Sequence, residues 1–225
     1  MDNLTVSGPK AQMGIIAGST LRRIPKQERS RERIDEILKV AMDLIGRKGI
    51  DAVTMKEIAS LSGGPIASVY QYFPNKSAII ATLYDRYINE VKGLIQPMVS
   101  DLTCPDDVLR AADKMIDLYS NLVRHNPSIQ DLVNAIQADK GLSDLDIAET
   151  RNIAVMFCRA TERFVPQELH DRYLRTTFLV SHLAVSCVRL AMKMPARDAD
   201  DILAEFKISV RQQITYFLVE EAAAA

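Results

Sequence analysis

The chain has 225 residues, of which 48% are hydrophobic and 25% charged, the balance of a folded globular protein and not of a disordered or collagen-like one. That length buries a real core and suits one large or two unequal domains. The formal net charge is −1, yet between Leu21 and Ile80 Lys and Arg outnumber Asp and Glu by about four, so the remainder is acidic. A local positive surface is what phosphate binding requires, although a solvated basic helix face has the same composition.

Cys104, Cys158 and Cys187 are too far apart for a disulfide framework or a metal-ligand spacing, and each reads as a small buried apolar residue in a reducing cytoplasm. His125, His170 and His182 form no metal spacing either. Residues 176–188 carry no Asp, Glu, Lys or Arg, but the run falls short of the ~20 apolar residues of a membrane span and reads as a buried helix. The N-terminus lacks the pattern of a secretory signal. The expectation is a cytoplasmic protein without membrane contact, and no catalytic residue, metal or cofactor is assigned.

In chain order, residues 1–28 read as a flexible basic arm, its first part mixing Gly, Ser, Thr and Pro and its second carrying Arg22, Arg23 and Lys26. Ile34, Ile37, Leu38, Ala41, Leu44 and Ile45 recur at spacings of three and four and predict a helix over 31–48, stopped by Gly49. Thr54 is placed to cap a short helix ending near Leu61, with Glu57 completing a capping-box pattern. Ser62, Gly63 and Gly64 form a turn, and Pro65 suits the first position of a third helix reaching Phe73. A long helix follows from Lys76 to about Met98. Beyond Pro105 helices are predicted over 106–125, 128–140, 143–164, 171–194 and 198–221, punctuated by Pro127, Gly141, Pro166 and Pro195. No segment alternates as a strand does. The fold expected is all-α: an N-terminal three-helix unit containing a helix-turn-helix (29–76) and a C-terminal helical bundle (77–225).

A helix-turn-helix needs a small residue where its helices cross, a Gly in the turn and an apolar anchor on the second helix. Ala59, Gly63 and Val69 supply these. The opposite face of the third helix offers Ile66, Ala67, Ser68, Gln71 and Tyr72, of which Gln71 is the best base reader because its amide can bond bidentately to adenine.

The run SGGPIASVYQYFPNK from Ser62 to Lys76, with TMKEIAS from Thr54, resembles the DNA-binding signature of the tetracycline-repressor (TetR) family over residues 33–79. The resemblance implies phosphate contacts at Thr54, Ser68, Tyr72 and Lys76, and positions at or near bases for Lys56, Ile66, Ala67, Tyr70 and Gln71. It implies a repressor that binds palindromic double-stranded operator DNA as a homodimer and is released by a small-molecule effector. Where family members carry an apolar residue such as Val, this chain has Gly64, which removes a core contact and loosens the turn.

The last two long helices are apolar on more than one face. In the first, Leu174, Thr177, Phe178, Ser181, Val185, Val188 and Met192 form one stripe while Leu179, Leu183 and Leu190 lie elsewhere. In the second, Ile202, Phe206, Val210 and Phe217 are joined by Leu203, Ile214 and Leu218. Two apolar faces need partners on both sides, which a two-fold dimer provides. The resemblance also implies an effector cavity among the middle helices, for which Tyr119, Met156, Phe157, Phe178 and His182 are candidates, although residues of these types more often fill an ordinary core. Arg159 and Arg189, on otherwise apolar helices, are suited either to an acidic ligand group or to an internal carboxylate. A small helical enzyme and a dimeric scaffold are the rival classes, and no nucleophile-base motif or phosphate loop supports the first.

Overall fold

The computed structural model describes residues 28–138 and 140–218, and within them every regular element is helical. The elements are α1 (Glu28–Lys48), α2 (Met55–Leu61), α3 (Ile66–Tyr70), α4 (Lys76–Ser100), α5 (Pro105–His125), α6 (Pro127–Ala138), α7 (Lys140–Thr161), α8 (His170–Ala191) and α9 (Ala196–Thr215). Two 3-10 turns, Glu162–Phe164 and Gln167–Leu169, join α7 to α8. The chain divides into two compact units between Arg86 and Tyr87, inside α4. The proposed arm up to residue 27 and the alanine-rich C-terminus lie outside the described residues.

In the first unit the α1 stripe behaves as its spacing dictates. Ile34, Ile37, Leu38, Ala41, Leu44 and Ile45 are all buried, joined by Val53, Ile58, Phe73 and Ile79. α1 ends where Gly49 takes a φ of +74°, a conformation costly for any residue with a Cβ. Thr54 caps α2, its Oγ1 accepting from the Glu57 amide at 3.2 Å. The Glu57 carboxylate does not complete a reciprocal box but pairs with Lys48 at the end of α1. Pro65 also departs from expectation. It stands at the N-cap of α3, with an extended ψ of 147°, and Ile66 is the first helical residue.

The second unit is a bundle of amphipathic helices. α8 packs against α7 and α9, and also touches α5. α5 and α9 are linked along their lengths by Asp113 with Arg211, Asp117 with Lys207 (2.8 Å) and Asp200 with Arg124 (2.7 Å). The predicted break at Gly141 falls earlier, since α6 ends at Ala138 and α7 begins at Lys140 with Gly141 in its first turn, and the last helix, predicted to reach residue 221, ends at Thr215. No helix among the described residues is long and apolar enough to cross a membrane.

The cysteines form no disulfide and are half-buried, not fully buried as expected. Burial pushes the Cys158 thiol up to about 11, which keeps it protonated at neutral pH. Among the described residues no group of His, Cys, Asp or Glu is arranged to hold a metal ion.

Candidate nucleic-acid interface and interior polar cluster

α3 is five residues long, and Val69 is its buried residue, fully enclosed, with Ala59 of α2 beneath the crossing at 2% exposure. Gly63 adopts φ +74° in the turn, and a Cβ there would touch nothing within 4 Å, so this glycine is required by backbone conformation alone. With Val69 turned inward, Ile66, Ala67, Tyr70 and Gln71 are exposed and Ser68 is half-buried. Thr54 and Lys56 are exposed at the start of α2, and Tyr72 is half-buried after α3. All nine residues assigned to DNA from the sequence thus belong to the α2–α3 unit and the start of α4.

Ser68 and Lys76 have partners that the sequence does not announce. The Ser68 hydroxyl donates to the Pro65 carbonyl at 2.8 Å and accepts from Arg33 Nη2 at 3.2 Å. Lys76 Nζ donates to the carbonyls of Ile50 (2.8 Å) and Val53 (3.2 Å), holding the loop between α1 and α2. The Lys76 ammonium has three donors, so one remains for another acceptor.

The space left by the missing side chain of Gly64 is not empty. It holds the Arg33 guanidinium, whose Nη1 donates to the Ser62 carbonyl and whose Nη2 lies 3.2 Å from Ser62 Oγ. Arg33 escaped sequence reasoning because its partners lie 29 and 35 positions away. The missing side chain at position 64 was the available signal.

In the second unit the candidate effector residues sit on three adjoining helices: Tyr119 on α5, Met156 and Phe157 on α7, and Phe178 and His182 on α8. Phe157 is buried, and the other four are half-buried. His182 Nδ1 is enclosed without a hydrogen-bond partner among the described residues, which differs from the satisfied core histidine a lone His in an apolar run usually is. Tyr119 belongs to a polar cluster. It shares a hydrogen bond with Tyr87 of α4, and both hydroxyls feel the buried carboxylate of Asp146 on α7. Burial, then Tyr119 and Asp146, holds the Tyr87 phenol well above the ordinary tyrosine range, and burial, then Asp146, raises the Tyr119 phenol against the lowering pull of Tyr87 and Arg189. Arg189 of α8 also faces Tyr119 and donates to Gln137 Oε1 of α6, so its described partner is an amide and not a carboxylate. Arg159 is exposed. Tyr87, Gln137 and Asp146 went unrecognised in the sequence, where Asp146 is one more acid on an acidic helix.

A separate crevice of about 460 Å3, lined by Ser100, Asp101, Leu102, Thr103, Arg163 and Phe164, includes none of these residues. On α8, Leu179, Leu183 and Leu190 are 54%, 44% and 52% exposed, which makes them the second apolar face that the sequence indicated. Ile208 of α9, absent from the stripes read in the sequence, is 49% exposed as well.

Residues 37–83 match the family described as "Bacterial regulatory proteins, tetR family", and residues 106–218 match "Tetracyclin repressor-like, C-terminal domain". Over 133 residues the chain is 26% identical to a DNA-binding transcriptional repressor TetR of Mycobacteroides abscessus, a match covering 56% of this chain and 70% of that one. It is 28% identical over 134 residues to the HTH-type transcriptional repressor KstR2 of Mycolicibacterium smegmatis, covering 57% of this chain and 60% of the relative. A crystal structure of a TetR-family transcriptional regulator from Streptomyces coelicolor shares the fold with a TM-score of 0.64 at 21% identity, covering 83% of this chain and 98% of that one. The two family matches fall on the two units built above, and with them the chain belongs to the TetR family of DNA-binding transcriptional regulators.

Proposed function

We propose that the chain represses transcription by binding a palindromic operator in double-stranded DNA as a homodimer, and that a small-molecule effector bound in the second unit releases it. The observation that carries the DNA-binding half is the division of α3 into an enclosed Val69 and an exposed row of Ile66, Ala67, Tyr70 and Gln71. A helix so divided offers amphipathic and amide side chains to base edges in a major groove. Thr54, Ser68, Tyr72 and Lys76 take the phosphates and Lys56 stands beside the bases. This work is done on chromosomal DNA, hence in the cytoplasm, and asks for no catalytic group.

The dimer rests on Leu179, Leu183 and Leu190 with Ile208, large apolar side chains left open on α8 and α9 of a single protomer. The effector reading rests on the unpartnered His182 Nδ1 of α8, the helix that also carries Phe178 and packs against α7 with its Met156 and Phe157, and on Tyr119 with its polar neighbours.

The test is fluorescence anisotropy with a duplex from the region upstream of the chain's own gene, at about 150 mM salt. Specific binding in the range ~10⁻⁸–10⁻¹¹ M, at least ~10³-fold tighter than to a scrambled duplex, is expected. Equal affinity for both duplexes at every upstream segment tried would remove the reading.

A further inference from the structure

The tilt of a recognition helix is set by what attaches it to the rest of its domain, and α3 has little. Five residues long, it buries the single side chain of Val69, about which so short a helix could still pivot. A second attachment comes from α1. The Arg33 guanidinium, a rigid planar fork, makes four hydrogen bonds: to Glu36 Oε2 (2.8 Å) on its own helix, to the Ser62 carbonyl, to Ser62 Oγ (3.2 Å) and to Ser68 Oγ (3.2 Å). The last reaches the middle of α3, next to Val69.

Gly64 makes this possible. Its φ is not in the left-handed region, so unlike Gly63 it is not required by the backbone. It is required by space. A Cβ at position 64 would lie 2.7 Å from Arg33 Nη2, 3.3 Å from Arg33 Cζ and 3.2 Å from Ser68 Oγ. A Cβ there forces the guanidinium to shift from this seat. Its four acceptors are all protein atoms and its side chain is only 18% exposed, so Arg33 acts on the interface from behind it.

We propose that Arg33, seated in the space left by Gly64, is a positioning residue that fixes the tilt of α3 through Ser62 and Ser68. The proposal rests on the DNA-binding reading only for its consequence, not for the clamp itself.

Full-length Arg33→Met, Gly64→Ala and Arg33→Met/Gly64→Val proteins test it with two measurements. Amide exchange over residues 62–71, without DNA, reads the clamp. Affinity for a palindromic duplex that the wild-type protein selects from random sequence, followed against salt, reads the consequence. Both single variants should exchange faster there and lose ~10-fold or more in specific affinity, with an unchanged salt slope because no phosphate contact is removed. The double variant, with an apolar side chain filling the vacated space, should recover most of that loss.

Unchanged exchange in both single variants overturns the clamp. Faster exchange with specific affinity within twofold of wild type overturns the positioning role. A loss accompanied by a salt slope lower by about one would make Arg33 a phosphate contact instead. If the wild-type protein selects no duplex, the DNA-binding reading fails while exchange still decides the clamp. Should Arg33→Met fail to fold, Gly64→Ala carries both arms, since it displaces only the far end of a flexible side chain.

Discussion

Lys76 Nζ lies 2.8 Å from the Ile50 carbonyl oxygen, so the lysine that ends the DNA-binding signature also ties down the loop leading into it. Charged hydrogen bonds of this kind contribute ~1.5–3 kcal/mol when both partners are kept from water. Lys76 is part-buried, which places it at the lower end of that range. Lys76→Ala should therefore destabilise the fold by ~1–2 kcal/mol in urea titration. If the remaining donor meets a phosphate, the same variant should weaken every DNA and lower the salt slope by about one. A lower urea midpoint with an unaltered slope would assign Lys76 to the loop alone.

Gln71 is exposed at the C-terminal end of α3, and its backbone amide is satisfied by the Ala67 carbonyl at 3.1 Å. The side-chain amide is therefore not needed to end the helix. Gln71→Ala should reduce discrimination at one base position by ~1–3 kcal/mol, without change in stability or salt slope. Uniform weakening on all duplexes would show a phosphate role in place of a base-reading one.

How far the sequence could be read depends on the distance over which each feature acts. The six-residue stripe of α1 was legible because burial on one helix face repeats every three to four residues, and all six positions are buried. The functions of Ala59, Gly63 and Val69 were legible for the same local reason. Pro65 was misplaced by one position because a proline fits both the N-cap and the first helical turn, and only its extended ψ distinguishes them. Tyr119 and Arg189 were singled out in the sequence, but Arg33, and the meeting of Tyr119 and Arg189 with Tyr87 and Asp146, were not legible. Their partners come from different helices, and periodicity says which face is inside but not which polar groups meet there.

Asp107 gathers the N-terminus of α5. Its Oδ2 accepts from the Thr103 amide (2.7 Å), the Thr103 hydroxyl (2.7 Å) and the Cys104 amide (3.1 Å), while Arg110 binds the other oxygen. The Thr103 hydrogen bonds, then Arg110, hold this carboxyl well below its ordinary value of 3.8. A carboxyl depressed in the folded state stabilises above its unfolded value and ceases to do so as pH falls through the folded one. Asp107→Asn should melt a few degrees below wild type at pH 7, and the gap should shrink as the pH is lowered below about 4. A gap independent of pH would mean that packing, not charge, is lost.

Leu183 is 44% exposed, so a carboxylate at this position stays hydrated in a lone protomer. In the proposed dimer it would be enclosed without a partner, at a cost of ~3 kcal/mol or more. Leu183→Glu should lower dimer affinity on the order of 100-fold in light scattering or sedimentation while leaving helicity intact. Val185→Glu, on a half-buried position of the same helix, should act in the same direction. A dimer unmoved by both would place the interface elsewhere.

Release of DNA by an effector makes the strictest demand, because it constrains two measurements at once. One continuous helix, α4, begins at Lys76 in the first unit and ends at Ser100 in the second, carrying Tyr87 of the polar cluster along the way. Two recognition helices in a dimer must match half-sites about 34 Å apart or a multiple of it, so a shift of α4 that changes their separation spoils both contacts together. The effector can weaken the operator complex only by its preference for the mismatched state, typically ~1–3 kcal/mol, or about 5–150-fold. A compound with equal affinity for both states binds and does nothing. Linkage then requires that saturating operator DNA weaken the compound by the same factor. A compound that raises the melting temperature of the protein should therefore bind about 5–150-fold more weakly in titration calorimetry once operator is present. Phe178→Ala should lower its affinity in both titrations while leaving operator binding without the compound unchanged. Equal affinities with and without DNA would show that the compound is a passenger, and a Phe178→Ala protein that binds it as wild type does would place the effector site outside α5, α7 and α8.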